Sequence, residues 1–222
     1  MRVVGVDGWK RGWVAAVADG RSLAWTAHAT FADLLDVHGT STVAVDMPIA
    51  TTDGPREVDV AGQRWLREHG GSWSSIFLAP TTATVAAWEG DPNHSHAAAM
   101  AAKGDAPGTS IQAWYLIPKM VEVRDALATR PDARVVEAHP ECSFRMMDDR
   151  IGRTSKKTGR GAGLRIRALA REFDLDLADA PADVPVDDVL DAAAVAWTAA
   201  RVERGEHVTL PEGATRAPRI VI

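Results

Sequence analysis

The stretch VVGVDGWKRGWVAAV, residues 3–17, is an apolar strand pattern interrupted by one acid, Asp7. Strand-like segments cover 3–7 and 13–18, and the short link between them carries Gly8 and Lys10. A carboxylate closing a core strand is costly to desolvate unless something binds it, so Asp7 is the residue to trace. A third strand-like segment at 23–29 follows ADGR, whose Asp19-Gly20 pair is a hairpin signal. Two short connections in succession make an antiparallel meander. Thr30 then caps a predicted helix at 31–37 with Phe31, Leu34 and Leu35 on its apolar face. The next apolar run, TVAVDMP, ends in a second acid, Asp46, and is stopped by Pro48.

The 222 residues suit one large domain, or a core with a sizeable insertion. At 46% hydrophobic and 25% charged residues the composition is that of a globular protein. Cys142 is the single cysteine, which leaves no intramolecular disulfide and points to a reducing compartment. The amino terminus lacks the layout of a signal peptide, and no run reaches the roughly 20 apolar residues of a membrane helix. A cytoplasmic location without membrane contact is the expectation. The net charge of −5 conceals a basic window at 150–171: Arg150, Arg153, Lys156, Lys157, Arg160, Arg165, Arg167 and Arg171, with no acid among them. It reads either as a phosphate-binding element or as a solvated loop and helix face.

The middle of the chain reads as helical. One helix starts with Asp53 as cap and Pro55 near its first position, and closes at Gly70. A second repeats that punctuation with Asp91, Pro92 and Gly104, and a third covers 111–129, where Pro118 is expected to kink or shorten it. ARVVEAHPE reads as a strand, and the basic segment leads into a helix near 164–173. DDVLDAAAVAWTAARVERG is a final helix stopped by Gly205. The order predicts one α/β domain over 1–222: three antiparallel strands, then parallel strands at 43–45 and 135–136, flanked by helices, with a helical insertion over about 53–130.

Asp7 and Asp46 both end apolar strands, so neighbouring strands would deliver them to one rim of the sheet, where ligands of open α/β sheets sit. Asp188 and Asp191 lie three apart and share a face of the final helix. That helix is apolar nearly all round beyond Asp191, hence buried. The plain alternatives are a helix cap at Asp187 or Asp188 and a turn at Asp46. Like charges about 4 Å apart repel by about 4 kcal/mol at an effective dielectric near 20, so convergence of these acids calls for protons or a cation. Hard oxygen donors favour Mg²⁺ or Mn²⁺, and paired ions would suit phosphodiester cleavage.

The elements VGVDGWKRGWV, VAVDMPI, PREVD, SIFLAP, IPKMVEV, VEAHPECSF and DDVLDAAAVAWTA together resemble an uncharacterised family, domain of unknown function 429, described as predicted nucleases with a ribonuclease-H-like fold. The resemblance implies three antiparallel strands, a helix and parallel strands, with the final helix supplying acids. DDVLDA is also similar to the closing motif of bacterial Holliday-junction resolvases. On that similarity Asp7, Asp46, Asp188 and Asp191 take metal-ligand positions. Glu137, His139 and Glu141 share one face if VEAHPE is extended, which makes Glu137 a fifth catalytic candidate. Lys10, Arg56, Asp59 and Lys119 sit in matching motifs and are either phosphate contacts or surface ion-pair partners. Lys156, Lys157 and Arg160 join Lys10, Arg56 and Lys119 as candidate substrate contacts. One departure stands out: Thr81, Thr82 and Thr84 follow SIFLAP where a basic residue is expected.

Weaker signals are His94 and His96, which lack a third zinc ligand of suitable spacing. Trp9, Trp65, Trp73, Trp88 and Trp114 serve either core packing or base stacking. The leading expectation is a metal-dependent nuclease or phosphodiesterase acting on nucleic acid or a small phosphodiester. The alternatives are a non-catalytic nucleotide- or nucleic-acid-binding module on the same fold and an ATP-binding phosphotransferase of the actin and sugar-kinase superfamily. The latter normally has two such domains and a second glycine-rich loop.

Overall fold

A computed structural model describes residues 1–103, 108–215 and 218–222. The expected meander is present as β1 (Arg2–Trp9), β2 (Gly12–Asp19) and β3 (Ser22–His28). Gly20 takes positive φ in the two-residue β2–β3 turn. Thr30 caps α1 (Phe31–His38) through a reciprocal box with Asp33. β4 (Thr42–Val45) leads through a helical segment, α2 (Glu57–Glu68), a 3₁₀ turn at Trp73–Ser75, α3 (Thr82–Gly90), α4 (His96–Ala102) and α5 (Ile111–Thr129), to β5 (Val135–Ala138). The chain ends with α6 (Pro140–Met147), α7 (Gly159–Glu172), α8 (Val186–Arg204), β6 (Thr209–Leu210) and β7 (Ile220–Val221). The seven strands form one mixed sheet in the order β3-β2-β1-β4-β5-β7-β6, antiparallel across the meander and parallel from β1 through β4 and β5 to β7.

The period-2 alternation of β1 divides its residues between two helical layers. Val4 and Val6 pack with Phe31, Leu34 and Leu35 of α1 and Met120, Val123 and Ala126 of α5. Val3 turns to the other face, where α6, α7 and α8 lie. Gly5 shares that face, and there the backbones nearly touch. A Cβ on Gly5 would stand 2.0 Å from the amide nitrogen of Ala196 and 2.1 Å from the carbonyl oxygen of Ala192. α8 can come this close because it presents Ala192, Ala193, Ala194 and Ala196, and it is buried from Val189 to Ala199.

Several predicted details change in the folded chain. Asp53 caps nothing: the N-cap of α2 is Arg56, in extended conformation with no side-chain cap bond, and its side chain is drawn into the core. Asp91 accepts from the amides of Asn93 and Ser95 in a turn, and Ser95 caps α4. The predicted close of that helix at Gly104 lies outside the described residues. α5 runs through Pro118 to Thr129, since the exposed proline faces away from the buried stripe of Trp114, Ile117, Met120 and Val123. Pro185, not Asp187 or Asp188, is the N-cap of α8, and both acids occupy its first turn, where the positive helix end favours them. β6 and β7, of two residues each, went unanticipated because two residues show no alternation. No helix is long and apolar enough to cross a membrane among the described residues.

Gly5→Ala is expected to cost about 3 kcal/mol, the upper part of the overpacking range, because backbone on both sides blocks relaxation. Equilibrium denaturant unfolding measures it.

Candidate metal and substrate site

Strand register brings the first two acids together. β1 and β4 run parallel with Val6 opposite Val45, and the Asp46 amide donates to the Val6 carbonyl at 2.9 Å. The next residue on each strand is an acid, Asp7 and Asp46, and both turn to the α8 face. Gly5 fixes where α8 crosses, so Asp191, one residue before Ala192, arrives beside them. Carboxylate oxygens of Asp7, Asp46 and Asp191 lie within 4.8 Å of one another.

The carboxylates are held in an unfavourable state. Burial first, then the neighbouring acids Asp46, Asp191 and Asp188, raises Asp7 well above the usual carboxylate range. Asp46 is raised for the same reasons, burial leading and Asp191 next. Asp191 is pushed up to about 6 by burial, with Lys156 acting in the opposite sense. Asp191 Oδ1 is buried without a hydrogen-bond partner, an arrangement that costs free energy unless another group completes it. The Gly8 amide donates to Asp7 Oδ1 at 2.7 Å and orients that carboxylate.

The other sequence candidates separate. Asp188 stands one turn from Asp191, half-buried and outside the group of three; burial and Asp187 raise it to about 6. It borders a neighbouring cleft with Lys10 and Lys119. Lys156 hydrogen-bonds Asp191 Oδ2 and lies 4.0 Å from Asp187, so its ammonium is the cluster's own counter-ion. Burial would lower its pKa, but Asp191, Asp7 and Asp46 hold it above the ordinary lysine value. Lys119 is half-buried, donates to the Gly12 carbonyl at 2.7 Å and stands 4.2 Å over the Trp13 ring. Its chain arches over Gly8, where a Cβ would meet Lys119 Cδ at 2.7 Å. Gly8 itself stays in the extended backbone of β1. Lys10, Lys157 and Arg160 are exposed.

Glu137 pairs across the sheet with Val45, not Ala44, and so lies on the face opposite Asp7 and Asp46. There it is ion-paired with Arg56 and accepts from the Ile49 amide at 3.1 Å; burial raises it to about 7. Arg56 is correspondingly not a phosphate contact: it is fully buried between Glu137 and Asp59, 3.4 Å from the latter. Glu141 falls in α6 instead of extending the face of Glu137, and it binds Arg165 at 2.7 Å. Arg150 and Arg171 both pair with Asp148, at 2.7 and 3.1 Å. Half of the basic window is therefore matched internally.

His69, His94 and His96 make internal contacts. His94 stacks on Trp88, His69 stacks on Trp65, and His96 faces the Thr109 carbonyl at 2.7 Å. Trp114 is buried with its indole N–H on the His94 carbonyl, and Arg67 covers the exposed Trp73. The aromatic side chain at the site is Phe77, which lines the pocket beside Asp7 and Asp46. A lone exposed Phe in SIFLAP carried no sequence signal for that position.

The family described as "Protein of unknown function (DUF429)" matches residues 5–216, and the chain belongs to it. No curated protein and no solved structure matches the chain.

Arg56→Met would strand two buried carboxylates and is expected to cost about 3–5 kcal/mol in denaturant unfolding. The raised site carboxylates bind more protons folded than unfolded, so metal-free stability is expected to fall as pH rises through about 6. Thermal melts in chelator across that range measure the fall, and Mn²⁺ is expected to reverse it.

Proposed function

We propose that this protein is a hydrolase of phosphodiester bonds that works with Mg²⁺ or Mn²⁺ held by Asp7, Asp46 and Asp191. The observation that carries the reading is the meeting of three buried carboxylates from β1, the end of β4 and α8, one of them with an unpartnered oxygen. A buried acid cluster of that kind adds nothing to folding, and its hard oxygens suit these ions. Strand order and the acids of the final helix also agree with the ribonuclease-H-like resemblance. When bound, divalent ions would activate water and stabilise the leaving oxygen.

The chain's own residues take the remaining tasks. The Gly8 amide fixes one oxygen of Asp7. Asp188, one turn along α8, is the fourth carboxylate and the one available for a second ion. Lys156 offsets part of the cluster's charge when no metal is held and, once displaced from Asp191, would be free to meet a phosphate oxygen. Lys119 and Lys10, at the adjoining cleft with Asp188, supply positive charge at the mouth. The acidic balance of the chain favours a short, single-stranded or small substrate over long duplex, where basic residues provide most of the affinity.

Calorimetric titration of Mn²⁺ is expected to give saturable binding that Asp7→Asn abolishes. The same variant is expected to lose at least about a hundredfold in hydrolysis of bis(p-nitrophenyl) phosphate, more than removal of an outer-shell group. Absence of both binding and hydrolysis in the wild type overturns the reading.

A further inference from the structure

Asp7 and Asp46 of the acid cluster border a pocket of about 180 Å³ whose lining is unlike a phosphate site. Met47, Pro48, Ile76, Phe77 and Leu116 form apolar walls. The polar groups at its edge are acceptors. Asp59 and Glu137 are carboxylates whose oxygens are already taken by Arg56 and the Ala79 and Ile49 amides. His139 Nε2 faces the Ser75 carbonyl at 3.4 Å, which assigns the ring proton there and leaves Nδ1, buried without a partner, as an acceptor. Lys119 is the one lysine or arginine lining the pocket among the described residues, and its ammonium is turned to Gly12 and Trp13. The apolar walls suit a largely neutral occupant, and His139 Nδ1 suits one that carries a hydrogen-bond donor.

Size and shape narrow it further. The volume is below the roughly 300–1,000 Å³ of pockets for drug-sized ligands, so it accepts one ring system. Phe77 is 43% exposed although it lines the pocket, which leaves a ring face open for stacking.

We propose that this pocket binds an amino-bearing nucleobase (adenine, cytosine or guanine) of a nucleotide whose phosphodiester lies at Asp7, Asp46 and Asp191. The proposal rests on the phosphodiesterase reading. The exocyclic amine donates to His139 Nδ1, while the base stacks on Phe77. Uracil, with a single ring N–H and no amine, is the poorer ligand. Asp59, Phe77 and Leu116 all come from the helical segment between β4 and β5, which roofs the acid cluster, so the base enters only when it is out of a duplex stack. A free nucleotide and an unstacked nucleotide of a single strand present the same chemistry.

The test is calorimetry on the full chain with Mn²⁺ present, using adenosine 5′-monophosphate, uridine 5′-monophosphate and ribose 5-phosphate. The adenine nucleotide is expected to bind about tenfold or more tighter than the uracil nucleotide, and ribose 5-phosphate weaker still. Phe77→Ala and, independently, Leu116→Trp are each expected to lose about tenfold of that affinity and to leave the Mn²⁺ titration unchanged. A single-stranded adenylate oligonucleotide that displaces the mononucleotide assigns the pocket to strands, and one that does not assigns it to free nucleotides. Ribose 5-phosphate binding as tightly as the adenine nucleotide, tighter binding of duplex, or indifference to both variants overturns the proposal. Mn²⁺ binding without base preference defeats the pocket alone. Base preference without Mn²⁺ binding defeats the metal reading and leaves the pocket standing.

Discussion

The backbone of α8 lies against the backbone of β1 at Gly5, with less room between them than a methyl group needs. Nearly everything at the candidate site follows from that approach. A helix held off by ordinary side chains would carry Asp191 some distance from the sheet. Here the run of alanines from Ala192 and the missing side chain at Gly5 bring the helix down onto the strand. The acid one residue earlier then meets the acid two residues further along β1. Dispersion and burial over this contact are what offset the repulsion among the carboxylates it gathers.

The cost of that gathering is visible in the surroundings. Asp7, Asp46 and Asp191 are raised by burial before any neighbouring charge is considered. The chain answers with one internal cation, Lys156, placed on Asp191 by the loop before α7. A single ammonium against three buried acids leaves the site short of positive charge, and this imbalance distinguishes it from the matched ion pairs nearby. Arg56 with Glu137 and Asp59, and Arg165 with Glu141, are structural pairs in which each buried charge has its partner. They brace the segments bearing the pocket wall and the basic loop, and do not themselves invite a ligand.

The helical segment between β4 and β5 has two parts with different work. The later half of α5 is a layer of the core, with Met120, Val123 and Ala126 against the sheet. The part around Asp59 and Ile76–Ala79, pinned by the Asp59 carboxylate accepting from the Ala79 amide at 2.7 Å, forms a roof over the strand ends. An open sheet rim is thereby turned into a small, largely apolar pocket.

The sequence by itself determined the elements whose signals are local: the β1–β3 meander with its Asp19-Gly20 turn, the Thr30-capped helix, the apolar runs ending in Asp7 and Asp46, and the buried final helix. Hydrophobic periodicity and turn chemistry act between near neighbours in the chain, so they are legible there. The acids of the site were legible too, because a carboxylate closing a core strand conflicts with the local pattern. Tertiary structure alone decided which of them meet. Sheet register sent Glu137 to the opposite face although its sequence context matches that of Asp46. The helix phase at Gly5 chose Asp191 over Asp188, and long-range ion pairing took Arg56, Arg165 and Lys156 out of the set of exposed basic residues. Register, helix phase and charge pairing depend on groups distant in sequence, and only the folded chain places those groups side by side.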